Sequence, residues 1–218
     1  MGNSNNREKI EEEKGTKERI RDAAIDMFSQ KGYKAVSIRE IADAVEIQGS
    51  SIYSHYKSKE DIMDTIITFF KDKFRSNSNL PSLKELMNES NPKTILSNVM
   101  GTVLELLKDV DIQKILRLMF IELYRNDKFL DFFQNQYIKP SYVFWTEIFQ
   151  QLMNNGAIKE YDPKVLAVEF FNHSLYLLFE VFVLKYNQAP YDTLIDEFKM
   201  KITQHVSFIF DMVNNEKK

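Results

Sequence analysis

Cysteine is absent from the 218 residues. Its absence excludes disulfides, thiolate nucleophiles and cysteine metal sites. The three histidines, His55, His173 and His205, are far apart without ligand-like spacing, so no metal is expected. Six glycines and five prolines are too few for a turn-rich all-β fold and favour long helices with few connections. No glycine-rich phosphate loop or dinucleotide fingerprint is present, and no cofactor is expected. No run of about 18 uncharged apolar residues occurs; the closest, Val165 to Leu184, is interrupted by Glu169, His173 and Glu180. An apolar signal core is also missing from the amino terminus, where residues 1–15 read as a polar, disordered tail. A cytoplasmic location is the default expectation.

The chain also lacks the basic excess of a simple nucleic-acid binder, since its net charge is −3. Locally the balance differs. Between Lys14 and Lys59 nine lysines and arginines face six acids, so the amino-terminal segment is mildly basic.

Helical periodicity runs through the chain. Ile20, Ala23, Ala24, Met27 and Phe28 mark an amphipathic helix over 17–31, capped by Thr16 and ended by a left-handed Gly32. Ser37-Ile-Arg-Glu40 is a capping box in which serine and glutamate satisfy each other's free amides. It opens a second helix with Ile38, Ile41, Ala42 and Val45 inward. Residues 46–49 turn the chain and 50–56 form a short third helix docked by Ile52 and Tyr56. Ser58 caps a fourth helix to about Ser76. Asn77 to Pro81 reads as a loop. Helices follow over about 82–88, 92–108, 111–125 and 127–154, where Pro140 kinks or restarts the last. Asp162-Pro163 opens a helix over 163–187, and a final helix covers about 192–214.

The expected fold is all-α. A three-helix helix-turn-helix head (16–60) is joined by the fourth helix to a larger helical-bundle body (61–218) for effector binding and dimerisation. The short third helix has small, polar side chains slim enough for the major groove, which is about 12 Å wide. Gln48, Ser50, Ser51, Ser54 and His55 suit base edges, and Gly49 is counted among the DNA-binding residues. Ser37, Tyr53 and Lys59 are placed for phosphates, and Arg39 is a further DNA-binding candidate. A generic helical hairpin with a polar face would show the same periodicity.

The densest motif is Gly49-Ser50-Ser51-Ile52-Tyr53-Ser54-His55-Tyr56-Lys57-Ser58-Lys59-Glu60. With Ile20, Ala23, Ala24, Phe28, Gly32-Tyr33, Ser37, Ile41 and Ala42, it resembles the DNA-binding head of the tetracycline-repressor (TetR) family of transcriptional regulators. That family carries Leu-Tyr-x-His-Phe-x-Ser-Lys-Glu here. One departure is Glu46, where the family usually has glycine. A left-handed glutamate costs about 1 kcal/mol or more and places an acid near phosphates. The resemblance implies a homodimeric repressor whose body binds a small effector.

Aromatic residues concentrate in the body; only Phe28, Tyr33, Tyr53 and Tyr56 precede residue 62. Phe120, Tyr124, Phe144, Trp145, Phe170 and Leu177 are candidates for an apolar effector pocket, with Glu122 and His173 as its polar groups. Ordinary core packing is the alternative for each aromatic. For Glu122, Glu147 and Glu180 the alternative is an internal pair with Arg117, Arg125 or Lys185. The helix over 163–187 is apolar nearly all round and needs burial on more than one face. Helices 163–187 and 192–214 are expected to form a homodimer interface, with burial within one subunit as the alternative. The functional reading is a repressor released from a roughly palindromic DNA operator by a small hydrophobic effector, neither an enzyme nor a membrane protein. A helical lipid- or metabolite-binding protein without DNA binding, and a helical-bundle enzyme, are the alternatives.

Overall fold

The structure, a computed structural model, describes residues 15–77, 86, 91–186 and 188–213. Every element is helical, and no strand occurs among the described residues. The expected tail, the loop at 77–81 and the helix at 82–88 lie almost wholly outside those residues.

The chain divides into two compact units. The first runs to Arg75 and also takes in Val110–Glu122. Its helices are α1 (Thr16–Lys31), α2 (Ile38–Ala44), α3 (Gly49–Ile52), α4 (Lys59–Asn77) and, from further along the chain, α6 (Val110–Glu122). This unit extends beyond the 16–60 expected for the head, taking in α4 and α6. Ile20, Ala24 and Phe28 of α1, Ile41 of α2, Ile52 of α3, Ile62 and Ile66 of α4, and Ile115 and Leu118 of α6 are all fully buried. Burying one such side chain stabilises by about 1.5–3 kcal/mol. The α1 cap is Gly15, with Thr16 already helical.

Polar ties fix α6 in this unit. Arg117 Nε donates to the Ser29 carbonyl at 2.7 Å, Lys73 pairs with Asp111 at 3.0 Å, and Lys114 pairs with Asp26.

The second unit comprises the described residues of Ser76–Asp109 and Leu123–Lys218. It holds α5 (Pro92–Leu106), α7 (Asp127–Asp131), α8 (Lys139–Asn154), α9 (Pro163–Phe179) and α10 (Tyr191–Val213). Asn91 and Asp162 cap α5 and α9, each accepting an amide two residues on at 2.9 Å. Between α7 and α8 the chain stays helical but widens to a π-helix over Phe132–Ile138. Pro140 explains it: the ring has no N–H and crowds the carbonyl four residues back, so the ladder slips to i→i+5. Lys139 accordingly donates to the Gln134 carbonyl. A second π segment, Glu180–Leu184, ends the α9 run earlier than the expected residue 187. Pro163–Leu184 is long and apolar enough to cross a membrane, but half of it is buried within the protein, as a core helix would be.

Candidate nucleic-acid interface

The reading element is built from its ends inward. Ser37 Oγ accepts the Glu40 amide at 3.2 Å, and Glu40 Oε2 accepts the Ser37 amide at 2.7 Å. This reciprocal cap starts α2 and, with the Ser37 hydroxyl, holds the Glu40 carboxyl below its usual range. At the other end, Arg19 Nη2 donates to the Val45 carbonyl at 2.8 Å. A cation is well placed there, where the helix dipole ends.

Glu46 follows at φ 58°, the only non-glycine residue with positive φ among those described. Ile47 then donates back to the Ala42 carbonyl at 3.0 Å, which closes the turn. Gln48 is the residue before α3, and its side chain makes no capping bond.

Only Gly49–Ile52 is α-helical, against the expected 50–56. The next amides tighten to i→i+3 bonds: Tyr53 to Ser50, Ser54 to Ser51 and His55 to Ile52. Serine weakens the helix here by local competition, and Ser54 Oγ indeed donates to the Ser51 carbonyl at 2.7 Å. Ile52 and Tyr56 anchor the element beneath, buried at 0% and 2% exposure. The Tyr56 hydroxyl donates to the Lys17 carbonyl at 2.9 Å.

Of the ten residues expected to meet DNA, Arg39, Gln48, Gly49 and Tyr53 line one open groove between α2 and α3, joined there by Ile38, Asp43, Glu46 and Ile47. Tyr53 projects with 59% exposure, although a tyrosine ring has nothing to gain from water alone. Ser37, Ser50 and Ser54 are exposed, while Ser51 and His55 are half-buried. Lys59 is placed differently from the expectation. Its ammonium lies over the Tyr33 ring at 4.2 Å and near that of Phe28 at 5.7 Å. Burial lowers its pKa, opposed by the charges of Glu122 and Glu40. Lys59 is thereby committed to the head's own packing.

The eight residues expected to hold an effector are divided between the two units. Phe120 and Glu122 belong to the head unit and the others to the body. Glu122 is buried at 3% exposure, and its Oε1 accepts the Tyr33 amide at 2.9 Å. That carboxylate is therefore spent on head packing, through a backbone amide and not through the arginines considered for it. Tyr124 is 97% exposed and lines nothing within its unit.

Phe144, Trp145, Phe170 and His173 do cluster. Trp145 meets Phe144 at 5.3 Å and Phe170 at 4.4 Å between centroids. His205 completes the cluster, stacked at 3.9 Å on His173 and at 5.7 Å on Phe170. It was missed because only the register of α9 against α10 pairs two histidines 32 residues apart. Glu180 is paired, by Lys201 at 2.7 Å and Lys185 at 3.2 Å, and those bonds hold its pKa down.

A capped helix, a pinned turn and a short helix bearing unspent polar side chains over an apolar anchor define a helix-turn-helix DNA-binding head. Residues 20–66 match the family model described as bacterial regulatory proteins, tetR family. This head belongs to that family.

The HTH-type transcriptional repressor KstR2 of Rhodococcus jostii is 38% identical over 58 residues, 27% of this chain and 28% of the relative. The biofilm operon negative regulator IcaR of Staphylococcus epidermidis is 44% identical over 46 residues, 21% of this chain and 25% of the relative. The chain thus matches only about a quarter of the length of these curated relatives.

Solved structures share the fold more widely. AibR, in complex with isovaleryl coenzyme A and operator DNA, superposes with a TM-score of 0.59 at 19% identity, covering 86% of this chain and 97% of that one. A transcriptional regulator from Aquifex aeolicus gives 0.57 at 20% identity, covering 87% and 99%.

Proposed function

We propose that this protein is a ligand-responsive transcriptional repressor that binds operator DNA through the α2–turn–α3 element. It is released when a small hydrophobic effector enters the body. The observation that carries this reading is the exposed groove between α2 and α3, in which Arg39, Gln48 and Tyr53 stand free for a partner. The family match over 20–66 and the repressor function of KstR2 and IcaR support it. So does the fold likeness to AibR, which binds an acyl-coenzyme A and operator DNA.

The working unit is a homodimer in the cytoplasm. Tyr176 of α9 and Phe208 and Met212 of α10 remain exposed at 54%, 58% and 42%, a patch that a second copy would cover. Two heads in a dimer address successive major grooves about 34 Å apart, so the operator is roughly palindromic. The chain crosses between its units near residues 75, 109 and 122. Effector binding in the body therefore reaches the head through α4 and α6. The coupling equals the effector's differential affinity for the two states, typically about 1–3 kcal/mol. The relatives are regulators, not enzymes, and catalysis is not proposed.

The test is a titration against the DNA upstream of the protein's own gene at two salt concentrations. Tight, sequence-dependent binding that weakens with salt is expected. Tyr53→Ala and His55→Ala should each weaken it at least about tenfold, with fold and dimer intact. Binding indifferent to sequence, or unaffected by both variants, would favour a helical small-molecule carrier.

A further inference from the structure

The groove expected to face DNA carries two carboxylates. Asp43, on the last turn of α2, and Glu46, in the turn, line it beside Arg39 and Gln48. Both acids are exposed, and neither carboxylate has a hydrogen bond or ion pair with the described residues. Facing a polyanion they are repulsive unless something in the major groove offsets them.

Position 46 is fixed. Its amide donates to the Asp43 carbonyl at 3.2 Å, the next amide is tied to Ala42 at 3.0 Å, and Arg19 holds the preceding carbonyl. The Glu46 carboxylate therefore extends from a rigid point at the entry to α3.

An ionised carboxylate only accepts hydrogen bonds. Among base edges in the major groove, only the cytosine N4 and adenine N6 amino groups donate. Guanine O6 and N7 and thymine O4 all present lone pairs, which a carboxylate repels. Adenine sets N7, another acceptor, beside its amino group, which suits the amide of Gln48 and not a carboxylate. Cytosine offers its donor without that neighbouring acceptor.

On the reading that this groove docks on DNA, we propose that Glu46 is a specificity-determining residue that accepts a hydrogen bond from the N4 amino group of a cytosine in each half-site. The acid is a filter: it weakens binding to most sequences and restores it where cytosine lies opposite the turn.

Selection from a random double-stranded DNA library tests this, run in parallel on the full-length protein and on its Glu46→Gly and Glu46→Gln variants. The wild type should enrich a half-site with one cytosine that, changed to thymine, lowers affinity about tenfold. Glu46→Gly should keep the rest of the half-site, lose the preference at that position alone, and bind non-cognate DNA more tightly. Glu46→Gln should shift the position toward adenine, which pairs with an amide through N6 and N7. Identical preferences in wild type and both variants would overturn the proposal while leaving DNA binding in place. Enrichment of nothing by any of the three would overturn both. Melting curves establish that each variant is folded.

Discussion

Glu122 Oε1 accepts the backbone amide of Tyr33 at 2.9 Å across 89 residues of sequence. The carboxylate is buried, and an acid there must be satisfied by its surroundings. The Tyr33 amide satisfies it, and the nearby Lys59 ammonium adds a favourable charge. This contact ties the end of α6 to the segment just after α1. Glu122→Ala should therefore destabilise the protein by about 2–3 kcal/mol, the cost of leaving a desolvated amide unpaired. Glu122→Gln keeps an acceptor and should cost less than half as much. Urea unfolding of both variants checks this, and an Ala variant as stable as wild type would remove the contact's structural role.

Gly32 stands beside the same carboxylate. Its backbone lies at φ 81°, ψ 157°, a region essentially confined to glycine, and a Cβ built there would lie 3.2 Å from Glu122 Oε1. Gly32→Ala should lose about 1–3 kcal/mol from backbone strain alone, with crowding of the carboxylate in addition. In the Glu122→Ala background the crowding disappears and the strain stays. The two substitutions should therefore cost less together than the sum of their separate effects. A sum that is strictly additive would show that the carboxylate yields without cost.

What was legible in the sequence was local. The capping box of Ser37 and Glu40, the Asp162-Pro163 helix start and the positive φ of Glu46 each depend on residues within a few positions, and each stands in the structure as the pattern implied. That Arg39, Gln48, Gly49 and Tyr53 share one groove follows for the same reason, because one turn assembles it. Lys59 was misplaced because the Tyr33 ring that captures it lies 26 residues away. Glu122 was misassigned for the same kind of reason: an acid on an apolar helix looks alike whether it meets a ligand or a distant backbone amide. The π segment over Phe132–Ile138 was signalled only by Pro140, which reads equally as a kink or a restart of the helix.

Glu46 holds its turn at φ 58°, where an L-residue is strained by about 1–2 kcal/mol. Glycine removes that strain but carries a larger entropy loss on folding, about 0.5–1 kcal/mol. The balance favours Glu46→Gly by up to about 1.5 kcal/mol. Thermal or urea unfolding should show the variant modestly more stable at neutral pH. Equal or lower stability would mean that the glutamate gains something in the free protein beyond what its exposed carboxylate suggests.

The stacked pair His173 and His205 makes stability depend on pH above the carboxylate range. Burial, and secondarily the charge of His173, depress the His205 pKa from 6.5 to about 4. Burial, and secondarily the charge of Lys201, lower that of His173. At pH well above 6.5 both rings are neutral in either state. As the pH falls below that value, the unfolded chain takes up protons that the folded protein refuses, so stability is lost progressively between pH 6.5 and about 4. Glu180 and Glu197 act in the same direction but lower down, since their pKa values are held below 4.5 by Lys201 and Lys185. Measurements between pH 6.5 and 5 therefore isolate the histidines. Among the described residues His205 Nε2 is buried without a hydrogen-bond partner, a cost that phenylalanine would remove while keeping the stack on Phe170 and His173. His205→Phe should raise the melting temperature at pH 7 and flatten its decline from pH 6.5 to 5. A variant with the wild-type slope would show that the pair is not what couples this protein to acid.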